Sequence, residues 1–592
     1  MCAIFGIVGE YDETKARSAF ATLAHRGPDT SGIVQGEGLF LAHHRLAIID
    51  PHPEADQPMT VDGATILSNG EIYNYRALRD ELNACETDSD TEVALRAFKR
   101  WGPSFVQKVR GMYAIAIWDR DRLHLFRDPF GKKPLYYAHH KGLFIFASEI
   151  KAIVAYLGGD PIAKSRLDTY LAFQGYVAPE TLYPSIRQLE AGEYLRYAKG
   201  RIVRRVDDIA ATPTTCQKIS SRDIERDLER SVALRLVADA PIGALLSGGL
   251  DSSLVAALAQ KRLDHPLPTF TIGYESYEKY DERPYARIVA KHIGSDHHET
   301  VMKREEFFEV AKALARHLDE PIGDPAAIPL WFLSRQIAAS GIKAILTGDG
   351  ADELFFGYRL YPEMAAIERN VVALPYRGWL SRYFHSHYAP NREWEWYKRA
   401  LDGTPLYRSG AELFTDLQRN RIFRFNVADD ASLDAIAHLV RRFGTPHGLS
   451  WYAYIDLKIK LEALYLKKLD RVTMAHGIEA RSPFLDKELA RAILSTDPHW
   501  RLGDATKWLL KKVAARYLPS SILARKKKGF SYPWVEWLHE SGEIRRLFDF
   551  NRKTGLFREE PLRFIVEKSR KGRFGHHLYA LWFLALWMER RV

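Results

Sequence analysis

The sequence predicts two layered units in series, an α+β unit over residues 1–205 and an α/β unit over 219–592 whose sheet is parallel and whose later part is largely helical. Three observations predict this. Short β-type runs punctuated by Gly, Pro and Asp crowd the first unit; strands and helices alternate from 219 onward; and beyond about residue 360 the pattern is almost wholly helical.

In the first unit the β-type runs are Ala3–Val8, Leu39–Ala42, Tyr113–Trp118 and Leu143–Phe146, with helical stretches near 15–24 and 75–100. The segment 206–218, beginning VDDIAATPTTCQ, loses apolar periodicity and is read as a linker. After it the spacing predicts helix 221–237, strand 242–246, helix 252–262, strand 268–273, helices 283–293 and 329–340, and strand 342–346. Such alternation implies a parallel sheet with helices on both faces. The aromatic stretches Trp394–Tyr397 and Tyr579–Trp587 are read as helix packing.

A chain of 592 residues exceeds one core, since single domains stop growing at about 250–300 residues. Hydrophobic residues at 46% and charged residues at 27% argue against a disordered or fibrous chain. The sequence has no apolar run of about 18 residues, and the N-terminus MCAIFGIVGEYDETK lacks the basic start of a signal peptide. No membrane span is therefore expected. Three cysteines, Cys2, Cys85 and Cys216, are an odd count without paired spacing, so a reducing cytoplasm is expected rather than a disulfide framework. The net charge of +10 is spread among acids, and its densest cluster, Arg525–Lys528, is short. That excludes nucleic-acid binding as the main role and leaves an anion such as ATP as sufficient partner.

Cys2 follows the initiator methionine. Removal of Met1 would leave a cysteine whose own α-amine, of ordinary pKa about 7.7–8.0, can act as base for its thiol. A lone Cys2 would read as a buried structural residue, but its company changes that reading. His25-Arg26-Gly27-Pro28-Asp29, His44-Arg45-Leu46-Ala47-Ile48-Ile49-Asp50, Asn69-Gly70-Glu71-Ile72-Tyr73-Asn74 and Ser89-Asp90 follow in order. The series resembles the class II glutamine amidotransferases, whose N-terminal-nucleophile fold packs two sheets between helix layers (αββα). The resemblance implies a glutamyl thioester on Cys2 with release of ammonia. It assigns the glutamine carboxylate to Arg45 and the ammonium to Asp90, lines the pocket with Glu71 and the Ile48-Ile49 backbone, and gives the oxyanion to Asn69 and the Gly70 N–H. His25 and Asp29 would order the loop over glutamine. One departure is Ala3, where the family usually has glycine; a left-handed backbone there would be strained.

The strand ending at Leu246 runs into Ser247-Gly248-Gly249-Leu250-Asp251-Ser252-Ser253 and a helix, a cradle of glycines, hydroxyls and free helix N–H groups suited to pyrophosphate. No Gly-Lys-Ser/Thr follows, so it is not the other common phosphate loop. It resembles the ATP-pyrophosphatase loop, which implies cleavage of ATP to AMP and pyrophosphate. Thr347-Gly348-Asp349-Gly350-Ala351-Asp352-Glu353 follows another predicted strand; Asp251 and Asp352 are the expected Mg²⁺ ligands, and Asp349 an expected catalytic residue. By resemblance adenosine would touch Leu246, Ile272 and Thr347-Gly348, and Lys527 of Arg525-Lys526-Lys527-Lys528-Gly529-Phe530 would lie over the phosphates.

Together with Lys468–His476 and Ser482–Asp486, these features resemble the glutamine-hydrolysing asparagine synthetases over nearly the whole chain. The resemblance implies glutamine, ATP and a carboxylate acceptor, aspartate first, and a homodimer. Ammonia would need an internal passage, because in water near pH 7 it becomes ammonium. Two alternatives stand beside this: the same chemistry on another carboxylate, or a non-catalytic regulatory homologue. Family members often carry glutamate at Asp349 and glycine at Phe356, so a shorter acid and a bulky ring could reshape the acceptor space. Asp319-Glu320-Pro321 and Asp324 are candidates for its border, and 360–450 for the extra length.

Overall fold

The computed structural model describes residues 2–215, 217–275, 277–525 and 531–589. Two six-stranded antiparallel sheets build the N-terminal part. In the first, Ala3–Val8 lies between Leu143–Ala147 and Leu39–Arg45, with Ala3 opposite His44. In the second, Ala64–Ile72 pairs with Gly111–Asp119, placing Asn69 opposite Ala114 and Gly70 opposite Tyr113.

Side chains on a strand alternate between faces, and here both faces of each sheet are covered. Ile4, Leu41, Leu67, Phe144 and Leu195 fill the layer between the sheets. Phe5, Ile7 and Ile145 pack outward with residues of the helices Glu13–Ala21 and Ile150–Leu157. Ile66, Ile115 and Ile117 do the same with Tyr75–Leu82 and Asp90–Trp101. This is the expected αββα layering. The single helical stretch expected over 75–100 is instead two helices: Asn83 closes the first in a left-handed conformation, and Ser89 caps the second through the Thr91 N–H.

The third sheet has five parallel strands in the order Asp296–Met302, Pro268–Tyr274, Ile242–Leu245, Ala344–Leu346, Glu479–Arg481. Its two edge strands escaped the sequence reading, because DHHETVM is polar and EAR is three residues long. With all strands parallel, the loops after Leu245 and Leu346 meet at one end of the sheet. Beyond it the chain is helical. Gly448–Asp456 continues as a π-helix, Leu457–Leu466, and then as Lys467–Met474, carrying Tyr465, Lys468, Leu469 and Asp470 to the junction between the two parts. The helix Gly575–Met588 is buried from Leu578 onward, the packing role read from its aromatics. Among the described residues no helix is long and apolar enough to cross a membrane.

Within the segment read as a linker, residues 208–210 are tied down: Ile209 and Ala210 are buried, and Asp208 pairs with Lys458 at 2.8 Å and Arg442 at 3.3 Å. Buried ion pairs join the two parts, among them Arg26–Asp470 at 2.9 Å, and Arg110–Asp486, Arg127–Glu462 and Arg471–Glu149 at 2.8 Å each.

Candidate active sites

Cys2 stands at the start of the central strand of the first sheet, where the second sheet passes beside it. Its N–H donates to Asn69 Oδ1 at 3.3 Å. Burial pushes the Cys2 thiol up from its ordinary value, so a base must take its proton before it can attack. Gly70 has φ of +151°, and a Cβ there would lie 2.0 Å from the Met112 carbonyl oxygen. Only glycine fits. Ala3 lies in regular strand opposite His44 and is not among the positive-φ residues, so the departure from glycine brings no strain.

Arg45 ends its strand with its guanidinium turned into the 49–56 loop. It donates to Asp56 at 2.6 Å, to the carbonyls of His52 at 3.1 Å and Ile49 at 3.2 Å, and to that of Asp50. Ile48 and Ile49 are buried, and the Ile48 carbonyl accepts the Asp239 N–H at 2.8 Å. Asp90, the first residue of its helix, accepts the Ile72 N–H at 2.8 Å, yet burial still raises its pKa to about 6. Burial and the nearby Glu479 push Glu71 well above the usual carboxylate range, although Arg481 lies 3.6 Å away. His25 reaches Glu149 at 3.2 Å, and Asp29 accepts the Ala47 N–H at 2.8 Å and pairs with Lys343 at 2.7 Å, so both fasten their loop. His25, Glu149 and His317 cluster closely enough for a metal, but Arg26, Lys151 and Arg471 already pair with Glu149. Arg26 was missed as a site residue. Fully buried, it donates to the Cys2 carbonyl at 3.2 Å and to Asp470 and Glu149.

The second site is a cavity of about 350 Å³ at the carboxyl end of the parallel sheet. Ser247, Gly249, Asp251 and Ser252 of one loop and Thr347, Gly348, Asp349 and Asp352 of the other line it, together with Leu246 and Ile272. Gly248 makes the turn at φ +67°, where a Cβ would strike Tyr285 at 2.5 Å. Asp251 and Asp352 converge on Lys507, which lies 2.5 Å from Asp251 and also contacts Asp352. Burial opposes its charge, but the two carboxylates win and hold its pKa above the ordinary lysine value. Two acids gripping one cation are a donor set that fits Mg²⁺. Lys507 was missed: it belongs to none of the motifs and takes a left-handed φ of +56° that its position in the sequence does not signal. Lys527 lies outside the described residues.

Asp349 is half-buried in the cavity wall, and desolvation there raises its pKa against a hydrogen bond to Thr347. Beside it Lys468 pairs with Asp324 at 2.5 Å, and Glu353 accepts from Tyr358 at 2.6 Å while burial lifts its pKa to about 7. Phe356 does not line this cavity; it is buried at φ +51° beneath Arg501, 4.2 Å from its ring. The left-handed backbone explains why glycine suits that position. Asp319 and Glu320 accept the N–H groups of Ile150 at 2.8 Å and Leu182 at 2.6 Å, fastening the two parts together.

Residues 223–589 match the family described as asparagine synthase, and residues 1–206 match the glutamine amidotransferase domain. The chain belongs to the asparagine synthase family. Its similarity to asparagine synthetase [glutamine-hydrolyzing] 1 of Bacillus subtilis is 30% identity, covering 99% of this chain and 93% of that one. A putative asparagine synthetase of Mycobacterium tuberculosis is 35% identical over 88% of this chain and 84% of its own length. Asparagine synthetase B of Escherichia coli is 28% identical over 94% and 87% respectively. As a family member with its own amidotransferase domain, the chain is a glutamine-dependent, ATP-using amidating ligase.

Proposed function

We propose that this asparagine synthase family member converts aspartate to asparagine with nitrogen from glutamine, releasing AMP and pyrophosphate. The observation that carries the reading is the Asp251–Lys507–Asp352 cluster in the cavity beyond SGGLDSS, in one molecule with Cys2 against Asn69. In this reading residues 1–205 are the glutaminase domain, 206–218 the connection and 219–592 the ATP domain of a cytoplasmic homodimer.

At Cys2, with Met1 removed, the α-amine takes the thiol proton, sulfur attacks the glutamine amide, and the C–N bond breaks to give a thioester and ammonia. Asn69 and the Gly70 N–H hold the oxyanion. Arg45 takes the glutamine carboxylate and Asp90 its ammonium, with Glu71, Ile48 and Ile49 around them. At the second site Leu246, Ile272, Thr347 and Gly348 receive adenosine, and Ser247, Gly248, Gly249 and Ser252 the phosphates. Asp251 and Asp352 would hold Mg²⁺, which would neutralise phosphate charge. Lys507 and Lys527 stabilise charge as the aspartate β-carboxylate attacks the α-phosphorus, and Asp349 accepts a proton when ammonia displaces AMP. Lys468 and Asp324 offer the cation and anion that an amino-acid acceptor needs.

A second reading, the same chemistry on a larger carboxylate, is favoured by Asp349, whose short side chain leaves room in the cavity wall. Pyrophosphate release from ATP and Mg²⁺, with ammonia supplied directly and a panel of carboxylates, decides between them. Release with aspartate and formation of asparagine is expected. Release only with another carboxylate would replace the substrate, and none with any would refute the adenylating reaction.

A further inference from the structure

Between the two sites lies a small cavity of about 10 Å³ whose walls include Lys132, Lys133, Leu466, Leu469, Asp470 and Ser482. A space of that order accommodates one molecule the size of water or ammonia. On one side Asp470 is held by Arg26, which also reaches the Cys2 carbonyl. On the other, Leu469 also lines the ATP cavity, and Ser482 Oγ lies 3.0 Å from Thr347 Oγ1. The cavity therefore stands where nitrogen released at Cys2 would pass toward an acyl-adenylate.

Two lysines form part of this wall. Lys133 has Asp470 at 3.8 Å. Lys132 is buried and, among the described residues, forms no ion pair; its Nζ donates to the Leu485 carbonyl at 3.1 Å. Asp128, Asp486, Arg235 and Lys133 face it, but Asp128 accepts the N–H groups of Phe130, Lys132 and Lys133, and Asp486 is paired with Arg110 and Arg235. Burial, joined by Arg235, accordingly lowers the Lys132 pKa to about 7.

We propose that Lys132 makes this passage selective for neutral ammonia over ammonium, a role that rests on the ammonia-transfer reading above. Charged, it repels ammonium inside a cavity with room for about one small molecule, where no further water screens it. Uncharged, its nitrogen lone pair accepts a hydrogen bond from ammonia in transit, and no N–H bond breaks. An apolar side chain could do neither.

The test measures amide formed per glutamine hydrolysed in Lys132→Met and Lys132→Arg from about pH 6.5 to 8.5, beside glutaminase alone and synthesis from added ammonia. The Met variant is expected to lose about threefold or more of this ratio at the acid end and recover it at the alkaline end. The Arg variant, still cationic, should keep the wild-type ratio throughout, with both separate activities unchanged in either variant. A wild-type ratio in Lys132→Met, a loss by the same factor at every pH, or a defect in Lys132→Arg would overturn the proposal. No amide from added ammonia in the wild type would instead overturn the amide-forming reading beneath it.

Discussion

Lys507→Met preserves side-chain length and removes the cation shared by Asp251 and Asp352. Both carboxylates touch the same nitrogen, so their oxygens lie within about 5 Å of each other; at an effective dielectric near 20, like charges at that separation repel by about 3 kcal/mol. Each side chain is 23% exposed, so water screens part of this. The variant is expected to reach half-maximal Mg²⁺ dependence at about tenfold lower concentration, because the metal no longer competes with an ammonium. Adenylation should nevertheless fall by about 100- to 1,000-fold, the usual loss when a group stabilising transition-state charge is removed. Pyrophosphate release with added ammonia, titrated with Mg²⁺, measures both, and glutaminase in the same preparation controls for folding. Wild-type adenylation, or a Mg²⁺ midpoint that rises, would refute the reasoning.

Gly70→Ala places a methyl 2.0 Å from the Met112 carbonyl oxygen, so glutaminase should fall by more than about a hundredfold while synthesis from added ammonia survives in whatever protein folds. Asp90 carries a pKa raised to about 6 by burial; as pH falls through 6 it gains a proton and loses the glutamine ammonium. kcat/KM for glutamine should then drop about tenfold per pH unit below that point, with no such limb in ammonia-driven synthesis. The stability sign is the opposite: the buried charge costs stability as pH rises from the unfolded value through 6, and Asp90→Asn should abolish that slope in urea unfolding. Arg26→Met removes one of three cations at Glu149 and leaves Asp470 with Lys133 at 3.8 Å, a loss of about 1–3 kcal/mol in urea unfolding, and Arg26→Lys should not restore glutaminase, because one ammonium cannot replace the guanidinium fork between Cys2 and both carboxylates.

The parts legible in the sequence were those with local periodicity or dense motifs. Ala3–Val8 and Ala344–Leu346 announce themselves as apolar runs, and the Ser247–Ser253 loop by its glycines between a strand and a helix. What escaped depends on distant partners. The three-residue strand Glu479–Arg481 exists because Ala344–Leu346 pairs with it, and the break at Asn83 within 75–100 is set by one residue's left-handed backbone. Lys507 shows the same limit at the site: nothing in its sequence neighbourhood marks it, and only the fold brings it to two carboxylates more than 150 residues upstream. Phe356 illustrates the converse, a side chain that looks placed to shape the acceptor space yet turns away from it.

The central claim is that nitrogen moves from Cys2 to an acyl-adenylate inside one molecule. Glutamine labelled with ¹⁵N in its side-chain amide, supplied with aspartate, ATP and Mg²⁺ in excess unlabelled ammonium, tests it by mass spectrometry of the product. Asparagine enriched in ¹⁵N far above the bulk ammonium pool is the expected result. Asparagine carrying only the bulk label, or no asparagine at all, would contradict the account.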